Sequence, residues 1–182
     1  MKQKQTRHLI IVGMLSAISV VLMFIKFPLP FLPPYLTIDF SDVPPLLATF
    51  TLGPIAGVLV ELIKNLLNFF FNVSDPVGPV ANFLAGTTLL LVSYWVYQSR
   101  QTTRQLIIGL IVGTLAMTVL LSVLNYFVLL PLFGMIMNLA DVANNLKLII
   151  AAGIIPFNII KGALVSVIFI LLSLIHISEP TR

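Results

Sequence analysis

VPPLLATFTLGPIAGVLVELIKNLLNFFF, Val43 to Phe71, decides how often this chain crosses a membrane. The stretch is almost wholly apolar, and Leu52-Gly53-Pro54 lies near its middle. Gly-Pro punctuates helices, because glycine adopts angles other residues avoid and proline has no N–H. It reads either as one long span or as two, a short one from Val43 to Leu52 and a longer one from Pro54 to Phe71. Flanking charge separates these readings. Lys2, Lys4 and Arg7 place the N-terminus in the cytoplasm, and Arg100 and Arg104 in QSRQTTR place that segment there too. A first span, Leu9 to Phe27, takes the chain out, and a span from Pro79 to Gln98 brings it back. The stretch between must therefore cross an even number of times, and two spans satisfy this. The first is too short to cross alone, so the loop before it is expected to dip into the membrane. A re-entrant hairpin without crossings is the alternative.

The rest of the chain fits this frame. Of 182 residues, 59% are hydrophobic and only 9% charged, against about 25% charged in soluble domains. The apolar runs are continuous rather than alternating, which indicates an all-α integral membrane protein and not a barrel. After the polar turn Asn72–Gly78 and the fourth span come a fifth, Gln105 to Leu130, an outer loop Met135–Lys147, and a last span from Leu148. That makes six transmembrane helices, with N- and C-termini cytoplasmic and a proline-rich external loop after the first helix. Tyr94, Trp95 and Tyr97 suit an aromatic belt at the cytoplasmic end of the fourth. Residues 1–171 read as a single membrane domain.

Several function classes are excluded. The formal charge of +4 sits in short segments between spans, so nucleic acid is not an expected partner. The chain has no cysteine, which removes disulfides, Cys-based metal sites and thiol nucleophiles. MKQKQTRH is a basic lead into the first span; a cleaved signal peptide fits worse, since no small-residue cleavage site follows. There is no phosphate loop and no H-E-x-x-H motif. His8 lies in the lead segment and His176 in the tail, so no Ser/His/Asp set is plausible. The tail itself, LSLIHISEPTR (Leu172–Arg182), is similar to a one-frame translation of a transposon-end sequencing adapter. We expect native sequence to stop near Leu171 or Leu172 and assign no role to residues beyond.

Polar residues at membrane depth carry the information that remains. A charge there costs about 2.5–3.5 kcal/mol on insertion scales and so faces a cavity or a partner. Three groups qualify. In PFNIIKGAL (Pro156–Leu164), Asn158 and Lys161 are spaced i, i+3 on one helical face, and Pro156 frees the carbonyl of Ala152. That face suits a polar ligand edge; the alternative is a Lys161 paired with an acid on a neighbouring span. Asn125, beside Ser122 and Tyr126, serves either a ligand or a helix–helix hydrogen bond. In ELIKNLLN (Glu61–Asn68), Glu61 and Lys64 are spaced to pair within the helix. Asp39 and Asp42 either cap the next helix or pair with Lys64, and SDVP (Ser41–Pro44) reads as an N-cap. Gly13 and Ala17 form a small-xxx-small surface on the first helix.

KFPLPFLPPYLTIDFSDVPPLLATFTLGPIAG (Lys26–Gly57), with six prolines between Pro28 and Pro45, resembles the riboflavin-specific substrate-binding subunit of energy-coupling factor (ECF) transporters. ELIKNLLNFF, LNYF (Leu124–Phe127) and PFNIIKGAL fall in that family's order and spacing, so the resemblance covers Leu9 to Leu171. It implies a six-helix fold in the bacterial cytoplasmic membrane that binds one riboflavin near the outer surface, with the loop after the first span as a lid. It implies that residues matching Asn125, Asn158 and Lys161 hold the polar edge of the flavin ring. That edge presents acceptor, donor, acceptor; a lysine only donates, while an asparagine does both. Leu36, Tyr35, Phe40 and Tyr126 are candidates for the ring face, and Thr37, Asp39, Asn82 and Lys64 for the ribityl hydroxyls. The resemblance further implies a transmembrane coupling protein and two cytoplasmic ABC-type ATPases as partners, docking through Gly13 and Ala17 where the family has two alanines. Riboflavin is then cargo, with no cofactor and no enzymatic activity. FMN or another vitamin on the same fold is the alternative. A membrane-embedded enzyme or structural subunit is the reading from a different class.

Overall fold

A computed structural model describes residues 2–32, 36–71, 75–136 and 145–178. Helix α1, Lys2–Phe24, starts earlier and stops sooner than the expected span. It stops because Phe27–Pro28 (β1) pairs antiparallel with Thr37–Ile38 (β2), in the register Phe27 with Ile38 and Pro28 with Thr37. Proline can occupy this position because a two-stranded ribbon is all edge. The segment after β2 is tied to α1, since the Ser19 hydroxyl donates to the carbonyl of Ser41.

The Val43–Phe71 stretch is two helices, α2 (Val43–Leu52) and α3 (Pro54–Phe71), at the expected boundaries. Gly53 between them has φ +104°, a conformation that favours glycine. Its N–H donates to Thr49 O and its carbonyl accepts from Ala56 N. Pro54 then opens α3, where a missing N–H costs nothing. Asp42 stands at the N-cap position of α2, as expected, but its side chain caps nothing. The physical reason lies in the sequence. An N-cap side chain accepts from the second or third helical N–H, and in Val43-Pro44-Pro45 both are prolines. The carboxylate is released for other partners.

Helix α4, Val77–Gln98, begins two residues before the expected start, with Pro79 in its first turn and Asp75 Oδ1 accepting from Gly78 N at 2.9 Å. Helix α5, Thr103–Leu124, is capped by Thr102, whose hydroxyl accepts from Gln105 N at 3.2 Å. It continues through a π-helical turn, Asn125–Leu129, into α6, Leu130–Ile136. A second π turn, Ile150–Ile154, joins α7 (Leu146–Ile149) to α8 (Ile155–Ser178). Each π turn ends two residues before a proline, Pro131 or Pro156. Proline removes an N–H and clashes with the carbonyl four residues back, and a wider turn relieves both.

Five helical stretches are long and apolar enough to cross a bilayer: Thr6–Phe24, Pro54–Phe71, Val77–Gln98, Thr103–Ile136 and Leu146–Ser173; Val43–Leu52 is a shorter apolar helix. The chain is a helical membrane protein. Its core lies where α2, α4, α5 and α8 meet, around Leu46, Leu89, Leu110, Met117, Val165 and Phe169. Close approach of α4 and α5 needs small residues: a Cβ on Gly109 would lie 2.6 Å from Ser93 O. The apolar side chains on the outside, such as Trp95 at 82% exposure, belong to surface that faces lipid. Gly13 and Ala17 are on that outer surface, and a Cβ at Gly13 would meet no atom within 4 Å. Of the expected outer loop, residues 137–144 lie outside the described residues. The α8 backbone runs on to Ser178, into the stretch expected to be adapter-derived.

Candidate functional site

Polar side chains from four segments meet: α3, the loop before α2, α4 and α8. On α3, Glu61 and Lys64 are fully buried and paired, Nζ to Oε2 at 2.9 Å. Asp42, in the loop before α2, receives Lys64 on Oδ1 and stands 2.9 Å from Lys161 with Oδ2. On α8, the Lys161 ammonium also donates to Asn82 Oδ1 of α4. Asn82 Nδ2 donates to Asn65 Oδ1 at 3.0 Å, and Asn65 Nδ2 donates to Glu61 Oε2 at 2.9 Å. The contacts close a ring: Glu61, Lys64, Asp42, Lys161, Asn82, Asn65 and back to Glu61.

The ring has a direction set by chemistry. A carboxylate only accepts and an ammonium only donates. Glu61 therefore turns the Asn65 amide so that its N–H groups face the acid. That leaves Asn65 Oδ1 for Asn82, which in turn leaves Asn82 Oδ1 for Lys161. With its acids and lysines ionised the ring carries two negative and two positive charges and is neutral. Neutrality is what makes four charged groups tolerable at this depth, since an unpaired buried charge costs several kcal/mol. Gly86 of α4 lets that helix lie over the acid; a Cβ there would come within 2.4 Å of Glu61 Oε1.

Above the ring is a cavity of about 420 Å³, within the ~300–1,000 Å³ range of small-molecule sites. Its walls come from α1, the β1–β2 region, α3, α4, α5 and α8, with the π turns that adjoin the last two. Among the expected contacts, Leu36, Thr37, Asp39, Asn82, Asn125, Asn158 and Lys161 line it together. Asn125 and Asn158 are buried and matched in local geometry. Asn125 Nδ2 donates to Leu121 O at 2.7 Å, and Asn158 Nδ2 to Ile154 O at 2.8 Å, each four residues back in its own helix. Among the described residues, neither makes the helix–helix hydrogen bond that was the alternative for Asn125. Each carboxamide keeps an acceptor oxygen and one N–H for a ligand.

Other expectations require correction. Lys64 does not line the cavity; it is sealed beneath it by Asp42 and Glu61. Phe40 packs on Phe27, ring centroids 5.8 Å apart, and joins the main core. Tyr126 sits edge-on to Phe127 and lines a separate, largely apolar lateral groove with Lys147. Tyr126, next to Asn125 on the π turn, faces that groove while Asn125 lines the cavity. Tyr35 lies outside the described residues. Lys161 has an acidic partner, but that partner, Asp42, stands in the loop before α2 and not on a neighbouring span, and Lys161 lines the cavity as well. Sequence reasoning missed Met23, Lys26, Asn68, Asp75 and Phe157 as lining residues. Phe157 was findable: it stands i, i+4 to Lys161, on the same helical face.

Residues 7–173 match the family model described as ECF transporter, substrate-specific component. The riboflavin transporter RibU of Staphylococcus aureus (strain TCH60) is 64% identical over 172 residues, 94% of this chain and 91% of that protein. The riboflavin transporter FmnP of Bacillus subtilis (strain 168) is 43% identical over 172 residues, 92% and 90% of the two chains. A solved structure, described as the S component of a bacterial ECF transporter, superposes with a TM-score of 0.85 at 57% identity, covering 97% of this chain and 99% of that one.

Proposed function

We propose that this chain, which belongs to the family of ECF transporter substrate-specific components, is a riboflavin-binding subunit of a vitamin importer. The observation that carries the reading is the cavity in which Asn125, Asn158 and Lys161 meet, in a chain 64% identical to a riboflavin transporter. Lys161 supplies a donor for a ring carbonyl, and the two asparagines supply the mixed donor and acceptor that a carbonyl–NH edge requires. Leu36 and Phe157 offer apolar surface to the ring, and Thr37, Asp39 and Asn82 offer partners to ribityl hydroxyls.

Six crossings with both termini cytoplasmic remain our reading. The α2 helix, ten residues long, spans about 15 Å of a ~30 Å core and completes a crossing with the loop before it. This topology opens the cavity to the outside of a bacterial cytoplasmic membrane. ATP hydrolysis belongs to two ABC-type partner subunits, reached through a transmembrane coupling protein at the Gly13–Ala17 face of α1. Purified protein should be yellow or, if free of ligand, quench riboflavin fluorescence on titration. A colourless protein that leaves the fluorescence unchanged refutes the reading.

A second reading, FMN, has one observation in its favour. Lys26 is exposed and lines the cavity, where it offers a phosphate the cation that buried Lys64 does not. Lys26→Ala should then weaken FMN binding while leaving riboflavin binding unchanged.

A further inference from the structure

Asp42 is absent from the cavity wall, yet it stands at the junction of everything that forms it. Its two oxygens hold two different lysines, Lys64 on one side and Lys161 on the other. It is buried, with 1% exposure, and the prolines that follow it deny its carboxylate any use as a helix cap. It also ends the segment that carries Thr37 and Asp39 into the cavity. That segment is pinned locally by Asp39 Oδ1, which accepts from Ser41 N and from the Ser41 hydroxyl, and by the Ser19–Ser41 bond to α1.

Consider Lys161 without that carboxylate. Of the charged groups around it, Glu61 is paired with Lys64, and Asp39, whose Oδ1 accepts from Ser41, attracts Lys161 less than Asp42 does and forms no ion pair with it among the described residues. Among the described residues, its remaining hydrogen-bond partner is the Asn82 carboxamide. Lys64 would then face Lys161 across the vacated position as a like charge, in a setting where water does little to screen it. The Lys161 ammonium would be driven from its present place at the end of the cavity. With Asp42 present, attraction on one side and the Asn82 hydrogen bond on the other define where the ammonium stands.

We propose that Asp42 is a positioning residue for the ligand: without touching it, the carboxylate sets the place of the Lys161 ammonium and ties the segment 36–42 to the ligand-holding face of α8. The inference rests on the riboflavin reading above. It adds that the contacts around the flavin depend on an acid that does not itself line the cavity.

The test is a double-mutant cycle on the full chain in detergent, read by riboflavin fluorescence titration. The proteins are the parent, Asp42→Asn, Lys161→Met and the double variant. Asp42→Asn should weaken binding about tenfold or more in the parent, and less than about threefold when Lys161 is already Met, because contacting residues couple and independent ones add. Asp42→Glu, which keeps the charge and lengthens the arm, should restore most of the affinity. A parent that does not bind overturns the riboflavin reading and this inference with it. A parent that binds, with Asp42→Asn equal to it, overturns the inference alone. Equal losses in both Lys161 backgrounds also overturn it, since Asp42 would then act on the fold and not through Lys161. If Asp42→Asn does not yield folded protein, Asp42→Glu carries the same cycle: a smaller loss confined to the Lys161 background supports the proposal, and an equal loss in both defeats it.

Discussion

ELIKNLLN on α3 and PFNIIKGAL on α8 look alike. Each places a lysine three residues after a polar side chain, at membrane depth, and both lysines are buried against Asp42. They differ in what the earlier residue is. On α3 it is Glu61, so Lys64 has a counter-charge on its own helix and a second one in Asp42. On α8 it is Asn158, a neutral amide whose nitrogen is bonded to the Ile154 carbonyl. Lys161 must borrow its counter-charge from another element, and it keeps a place on the cavity wall. The same spacing thus yields a sealed ion pair in one helix and a pair that lines the cavity in the other. Whether the counter-ion is local decides which.

The sharpest break of this comparison is Lys64→Met. It leaves Glu61 without a cation and Asp42 with only Lys161, so it should cost about 3–5 kcal/mol of stability, seen as a lower thermal unfolding midpoint and poor recovery from the membrane. Lys161→Met should unfold far closer to the parent, because Asp42 retains Lys64. Equal losses for the two would erase the distinction. Next comes Gly86→Ala, whose methyl meets the Glu61 carboxylate and should destabilise by about 1–3 kcal/mol; an unchanged midpoint would show that α4 does not confine the acid. On the α8 side, Lys161→Ala and Asn158→Ala should each weaken riboflavin binding at least tenfold, about 1.4 kcal/mol. Parent-like affinity for either would remove it from the site. The smallest effect belongs to Tyr126→Ala, which should leave riboflavin affinity within about twofold of the parent, a change under ~0.5 kcal/mol. A large loss would mean that the apolar lateral groove communicates with the cavity.

Much of the fold was legible in the sequence because it rests on local chemistry. Gly53-Pro54 ends one helix and starts another wherever it stands in such a run, so the boundaries of α2 and α3 could be read directly. The meeting of Asn125, Asn158 and Lys161 was legible less from spacing, which left alternatives open for each, than from the order of motifs along the chain. The π turns were missed, although Pro131 and Pro156 signalled them, since a proline can equally kink or end a helix. The failed N-cap was also readable: Pro44 and Pro45 have no N–H for Asp42 to accept.

By itself the sequence determined an apolar helical membrane chain, the break at Gly53, and the few polar side chains that a bilayer would not tolerate without partners. Tertiary structure decided who those partners are. Asp42 reaches Lys161, 119 positions along the chain, only because α2, α3, α4 and α8 converge there, and no periodicity encodes that meeting. It also decided that Lys64 is sealed beneath the cavity while Lys161 opens onto it. A charge in an apolar medium selects its partner by distance in space, and spacing along one helix reports only the partners on that helix.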